Sequence, residues 1–335
     1  CIIFMSGYSD KEYLKSAIRL KAVRYVEKPI EEEEVAEAVR EAVRLVSSAL
    51  VNKEKEQKSA QRETEILAEK LCQPGRVTEE ELKRFVQTNP EKPCAFSLLI
   101  KIYHQSALSS TVFSTLNGIV SASAQRHYMK CIGCDRQNAV YVFHIYQISG
   151  YTDAEKKALG AEISEELMKH TVHFHIVFGK NTEGLMNVYG SYSSAVIELQ
   201  NCFFSERQEV RVYSSADSDS IFPAIPEDED EKSFRKALLG GEKDILSDLI
   251  EKKRKNILSG RGLLPNQVRD LYYRSFQAVS ETESLLGMKG ISNAAGDSNW
   301  GVVSSCESIF ELDEQLKNRV GCLMSMLEKR SETHA

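Results

Sequence analysis

From Glu31 to Leu71 the chain contains neither proline nor glycine, the two residues that most readily interrupt a helix. This segment predicts one long helix or two in tandem, and it separates whatever folds before it from whatever folds after it. Val35, Val39, Ala42, Val46 and Ala49 keep the four-three spacing of a coiled-coil seam. The stripe fails at Lys53 and Glu56, so about two heptads are supported. Its first turns are expected to pack on a neighbouring sheet. Beyond Ala49 the run Lys53-Glu54-Lys55-Glu56 reads as a charged linker, paired in a dimer. Gln73-Pro74-Gly75 ends it, and Thr78 with Glu81 makes a capping-box pattern opening a short helix to about Thr88. Pro90 and Pro93 then punctuate the chain.

Before the rod, Ile2-Ile3-Phe4-Met5 is a continuous apolar run, as expected of a strand covered on both faces of a parallel sheet. It ends in Ser6-Gly7-Tyr8-Ser9-Asp10. A second short strand, Val23 to Glu27, ends in Lys28-Pro29. Between them Asp10 to Leu20 carries Tyr13, Leu14, Ala17 and Ile18 at helical spacing, with Ser9 or Asp10 able to cap it. Strand, helix and strand form a βαβ unit, whose ligands bind at the carboxyl ends of the strands. A hydroxyl at one strand end and an ammonium at the next suit a phosphoryl group, because each can bond a phosphoryl oxygen.

On these residues, Ile2 to about Leu50 resembles the second half of a response-regulator receiver domain. In that family a hydroxyl residue and a lysine contact the phosphoryl group carried by an aspartate, and an aromatic three residues before the lysine reports the switch. The resemblance assigns these roles to Ser6, Lys28 and Tyr25, with Pro29 as the candidate for a cis peptide bond. Cys1 already lies within what the resemblance makes the fourth strand. The segment therefore holds no phosphoacceptor aspartate, Asp10 being on the wrong side of the site. The chain reads as an N-terminally truncated piece. The resemblance implies Mg²⁺ for an intact receiver and no cofactor for this segment.

Bulk properties limit the remaining classes. A chain of 335 residues can hold two or three domains. No run approaches the ~18 apolar residues of a membrane span, and a cytoplasmic protein with no membrane partner is expected. Eight scattered cysteines form no disulfide framework. A net charge of −6 argues against a large nucleic-acid-binding face within this segment.

From Phe96 the pattern changes to strand (to Tyr103), helix (Leu108 to Gln125), two strands (His127 to Ile132 and Ala139 to Gln147) around the turn Gly133 to Asn138, helix (Asp153, as cap, to about Lys169) and strand (Thr171 to Phe178). A helix from about Glu183 to Phe203 and a strand at Val210 to Tyr213 follow. In the second hairpin strand Val140, Val142, His144 and Tyr146 alternate with Tyr141, Phe143 and Ile145. This order is that of a ferredoxin-like palm. With Ile176-Val177-Phe178-Gly179 and Ser191-Tyr192-Ser193-Ser194-Ala195, it resembles a degenerate GGDEF-type domain like those in the middle of YesN-like regulators. A cyclase needs paired carboxylates for Mg²⁺. From Lys92 to Cys134 there is no Asp or Glu, and Arg136 stands beside Asp135 where the family's second acid would be. No enzymatic activity is expected.

Cys131 and Cys134, with His127 four residues earlier, are the weak candidates for a metal site, but a second cysteine pair is missing. Plain hairpin residues are the stronger reading. His170, His173 and His175 include an alternating pair, better read as strand residues than as ligands.

Beyond the acidic run Glu227 to Glu231, helices are expected over Ser233 to Leu239, about Ile245 to Gly260, Pro265 to Leu286 and Ile309 to about Lys329. A Gly/Asn/Ser-rich loop, Asn293 to Gly301, holds the only tryptophan, Trp300, and Tyr272 and Tyr273 read as core. This part resembles the segment preceding the AraC-type helix-turn-helix of YesN-like regulators, and no such motif is recognisable here. The expected fold class is α/β plus α+β. It divides into the C-terminal half of a receiver (1–50), a helical linker (51–91), a degenerate GGDEF-like palm (92–215) and a helical region before a missing DNA-binding domain (216–335). The implied function is that of a fragment of a phosphorylation-controlled transcription factor. Its implied partners are a sensor histidine kinase, DNA through a domain outside the chain, and a second copy of itself. The alternative is a non-catalytic module sensing a nucleotide or small metabolite.

Overall fold

The computed structural model describes residues 1–6, 11–85, 94–103, 112–148, 150–170, 173–205, 208–214, 229–260, 262–287 and 298–333, with backbone alone at a few positions, Ser6 among them. The proposed caps Ser9 and Asp10 lie outside the described residues. The chain has mixed α and β structure and divides into two compact units, residues 1–66 and 67–335. Among the described residues, no helix is long and apolar enough to cross a membrane.

In the first unit β1 (Ile3–Ser6) and β2 (Arg24–Glu27) pair in parallel, joined by α1 (Lys11–Arg19). The helix α2 (Glu32–Leu71) follows and is uninterrupted. Ala17, Val26 and Ala38 are buried, and Arg24 reaches Glu37 at 2.8 Å. The apolar residues of α2 fall on two faces rather than one. Val35 and Ala42 are half-buried and Ala38 fully so, whereas Val39, Val43, Val46 and Leu50 are exposed. The expected seam through Val35, Val39, Ala42, Val46 and Ala49 therefore mixes inner and outer residues. The exposed stripe keeps the four-three spacing in a shifted frame.

The second unit begins with the end of α2 and α3 (Glu79–Phe85), which opens where expected: the Glu81 amide donates to Thr78 Oγ1 at 3.2 Å. The elements β3 (Cys94–Ile102), α4 (Val112–Arg126), β4 (Lys130–Arg136), β5 (Val140–Ile148), α5 (Asp153–Leu167), β6 (Phe174–Phe178), the short β7 (Thr182–Glu183), α6 (Val188–Asn201) and β8 (Val210–Val212) follow. The sheet runs β4-β5-β3-β6-β8, antiparallel except for the β6–β8 pair, with β7 beside β3.

Strand alternation sends residues to two cores, as the period of two requires. Phe96, Leu98, Ile100, Tyr141, Phe143 and Ile145 meet α4 and α5 on one face. Ala95, Leu99, Val142, Tyr146 and Val177 meet α6, α3 and the end of α2 on the other. At Gly179 the sheet and α6 approach so closely that a Cβ would lie 2.0 Å from the Ser191 carbonyl oxygen. Lys156, fully buried, donates to the Gly179 carbonyl at 2.8 Å.

Three local expectations change. The hairpin turn is confined to Gln137–Ala139, with Asn138 (φ 62°) and Ala139 (φ 55°) left-handed, so Gly133 to Arg136 belong to β4. Thr152, not Asp153, caps α5: its hydroxyl accepts from the Glu155 amide at 3.3 Å, and its own amide donates to the Glu155 carboxylate at 2.7 Å. Trp300 lies in a helix, α10 (Asn299–Ser305), capped by Ser298, rather than in a loop.

That helix belongs to a bundle with α7 (Glu229–Gly240), α8 (Lys243–Ser259), α9 (Pro265–Leu285) and α11 (Ile309–Thr333). Tyr272, Phe276, Leu312, Leu316 and Leu323 fill its centre. Asp313, buried among them, accepts from Tyr272 at 2.5 Å and from Arg254 at 2.8 Å. Glu283 pairs with Arg319 at 2.7 Å. Phe203, following α6, inserts into this core, and Lys101 of β3 meets Glu307 at 2.9 Å.

Candidate functional site

The parallel register of β1 and β2 sets Ser6 opposite Glu27. Ser6 thus ends one strand beside the end of the next, and Lys28 follows directly, exposed, with a cis bond to Pro29. The side chain of Ser6 lies outside the described residues. Tyr25 is half-buried on β2, one residue before the fully buried Val26. The chain then enters α2 within four residues of Lys28, at Glu32. Chemically, the described residues at the strand ends offer an ammonium and a hydroxyl-bearing residue but no set of metal ligands. Mg²⁺ needs several oxygens in octahedral array, and Glu27 alone, in register with Ser6, does not make one. Among the described residues no group of three His, Cys, Asp or Glu side chains could hold a metal.

The weak metal candidates are pulled apart by the same alternation that builds the sheet. Cys131 packs against the α4/α5 core and Cys134 belongs to the opposite core. Residues three apart in a strand face opposite ways. His127 lies beyond α4 and meets Glu162 at 3.1 Å. His175 is a core residue, its Nδ1 3.0 Å from Tyr103 Oη and its Nε2 3.4 Å from Ser205 Oγ. Asp135 and Arg136 likewise take opposite faces of β4, and Arg136 pairs with Glu69 at 3.6 Å.

A second polar constellation, on the α6 face, was not anticipated. His144 is wholly buried there. Its Nδ1 is 3.0 Å from Ser97 Oγ, and its Nε2 is 3.1 Å from the Ala68 carbonyl and 3.6 Å from Cys72 Sγ. Because a carbonyl only accepts, the network assigns the ring proton to Nε2, leaving Nδ1 to accept from Ser97. Cys72, the residue after α2, also donates to the Ala68 carbonyl at 3.4 Å. Hydrogen bonding from the Cys134 thiol holds the Cys72 thiol well below the usual thiol range. Burial opposes this, and the His144 ring and the Arg136 charge add to it. Cys134 is pushed correspondingly upward, by Cys72 and by burial. A histidine in the otherwise apolar stripe Val140, Val142, His144, Tyr146 was the available signal, since a buried ring must find partners.

No protein-family description and no curated protein sequence matches this chain.

Proposed function

We propose that this chain is the relay portion of a phosphorylation-controlled response regulator, a non-catalytic transcription factor fragment. Its Ser6 and Lys28 are read as the contacts of a phosphoryl group carried by an aspartate outside these residues. The observation that carries the reading is the pairing of β1 with β2, in which the Ser6 end of one strand adjoins the Lys28 end of the next. An ammonium there can bond a phosphoryl oxygen, and Tyr25 lies on the same strand three residues before Lys28, next to the buried Val26. The palm assignment draws support from the strand order β4-β5-β3-β6, which is the order of a βαββαβ ferredoxin-like sheet, with β8 added at its edge.

Output is read as a change in self-association through α2. Ala36, Val39, Val43, Val46 and Leu50 are exposed at heptad spacing. A shallow apolar groove of Ile30, Val35, Ala36 and Val39 adjoins the stripe. A second copy of the same helix is the occupant that matches a two-heptad repeat. Such a repeat is short, so phosphorylation would have to add to it. The test is to expose the protein containing these residues and their acceptor aspartate to acetyl phosphate. It should incorporate phosphate and shift from monomer to dimer. Failure to label, from acetyl phosphate and from a panel of histidine kinases alike, removes the reading.

A further inference from the structure

We propose that Cys72 and Cys134 form a reversible dithiol–disulfide pair, Cys72 attacking first and Cys134 resolving, with the His144 N–H as positioning donor. This site lies wholly within the second unit and does not depend on the response-regulator reading.

The geometry comes from three elements. On β4 and β5, Ile132 pairs with His144 and Cys134 with Val142, so Cys134 and His144 are diagonal neighbours on one face. The end of α2 packs on that face through Leu67, Ala68, Leu71 and Cys72. The Nε2–H of His144, shared between the Ala68 carbonyl and Cys72 Sγ, is aimed to stabilise negative charge on that sulfur. Ser97 fixes the ring that donates it. Arg136, two residues beyond Cys134 on the same strand face, adds positive charge and pairs with the exposed Glu69. The thiols are buried, 4% and 3% exposed, and the adjoining Arg136–Glu69 ion pair is partly open to solvent.

Cys202 and Cys306, which are buried, and Cys131, which is partly buried, lack these features. Burial pushes Cys131 and Cys202 up to about 12 and Cys306 up to about 11. Thiolate character selects the reacting cysteine. In the first step the Cys72 thiolate attacks a peroxide oxygen. An S–O bond forms, the O–O bond breaks, and the departing alkoxide or hydroxide takes a proton. In the second step Cys134 attacks the Cys72 sulfenic acid. The S–S bond forms, the S–O bond breaks, and the Cys134 proton leaves with hydroxide as water. Two thiols are oxidised by two electrons and the peroxide is reduced by two. A dithiol reductant reverses the change. The product ties the residue after α2 to the sheet.

The experiment treats the full chain with hydrogen peroxide, then maps its peptides without reduction. The expected result is a Cys72–Cys134 cross-linked peptide, lost on dithiothreitol treatment. In Cys134→Ser, dimedone should label Cys72. In the unmodified folded protein, which needs no substitution, Cys72 should alkylate at least about tenfold faster than Cys131 or Cys202. Cys72 reacting no faster than those two, or a peptide map that joins neither cysteine to the other, overturns the proposal.

Discussion

Replacing Val43 and Leu50 together by aspartate should abolish association through α2 while leaving the fold intact. Val39, Val43, Val46 and Leu50 are 46%, 59%, 42% and 57% exposed. Fully burying such a side chain is worth roughly 1.5–3 kcal/mol, so covering the exposed half recovers about 0.7–1.5 kcal/mol each. Four residues on each of two helices contribute roughly 6–12 kcal/mol in all. Association costs about 4–15 kcal/mol, so the dimer is weak and depends on every pair. The double substitution removes half the apolar term, roughly 3–6 kcal/mol, and sets like charges face to face. Dissociation should therefore become at least about 100-fold easier. Sedimentation equilibrium over a concentration series, on the acceptor-bearing protein after acetyl phosphate treatment, reads this directly, with circular dichroism confirming an unchanged helix content. Equal association of variant and parent would refute the reasoning. So would a loss of stability in the monomer, since it would make these side chains core.

Three predictions concern the second unit. Gly179→Ala should cost several kcal/mol in a urea titration, because the atom nearest the new Cβ is the Ser191 carbonyl oxygen, which is backbone and cannot swing aside as a side chain could. Asp313→Ala should cost about 2–4 kcal/mol by the same measurement, since it strands a buried tyrosine hydroxyl and a partly buried guanidinium; Asp313→Asn should cost less. Burial raises the Glu283 carboxyl above its ordinary range, so the folded protein binds that proton more tightly than the unfolded chain. Its contribution to stability is then greatest at low pH and falls as pH rises through the raised value. Glu283→Gln lacks this loss, and the difference in unfolding free energy should move in its favour as pH rises from about 4.

Much of the fold is legible in the chain because periodicity is local. The absence of Pro and Gly between Glu31 and Leu71 foretells α2 almost to the residue. The alternation Val140, Val142, His144, Tyr146 against Tyr141, Phe143, Ile145 foretells the two cores. Where sequence reading failed, the cause was nonlocal. Val35 and Ala42 differ from Val39 and Val46 only in what packs beside them, which spacing does not reveal. Gly133 suggested a turn, but the chain reverses at two left-handed residues beyond it, and Gly133 instead makes room for the Phe143 ring. For the candidate sites, Ser6 and Lys28 are readable because each ends a recognisable strand. The meeting of Cys72, Ser97, Cys134 and His144 joins the residue after α2, β3 and the β4–β5 hairpin, which are distant in sequence. A single buried histidine was its one outward sign.

The most direct measurement compares phosphate-dependent dimerisation of the acceptor-bearing protein with and without Lys28→Ala, by sedimentation after acetyl phosphate treatment. If the ammonium at the end of β2 engages the phosphoryl group, the variant still incorporates phosphate but stays monomeric. A variant that dimerises on phosphorylation as fully as its parent contradicts the account.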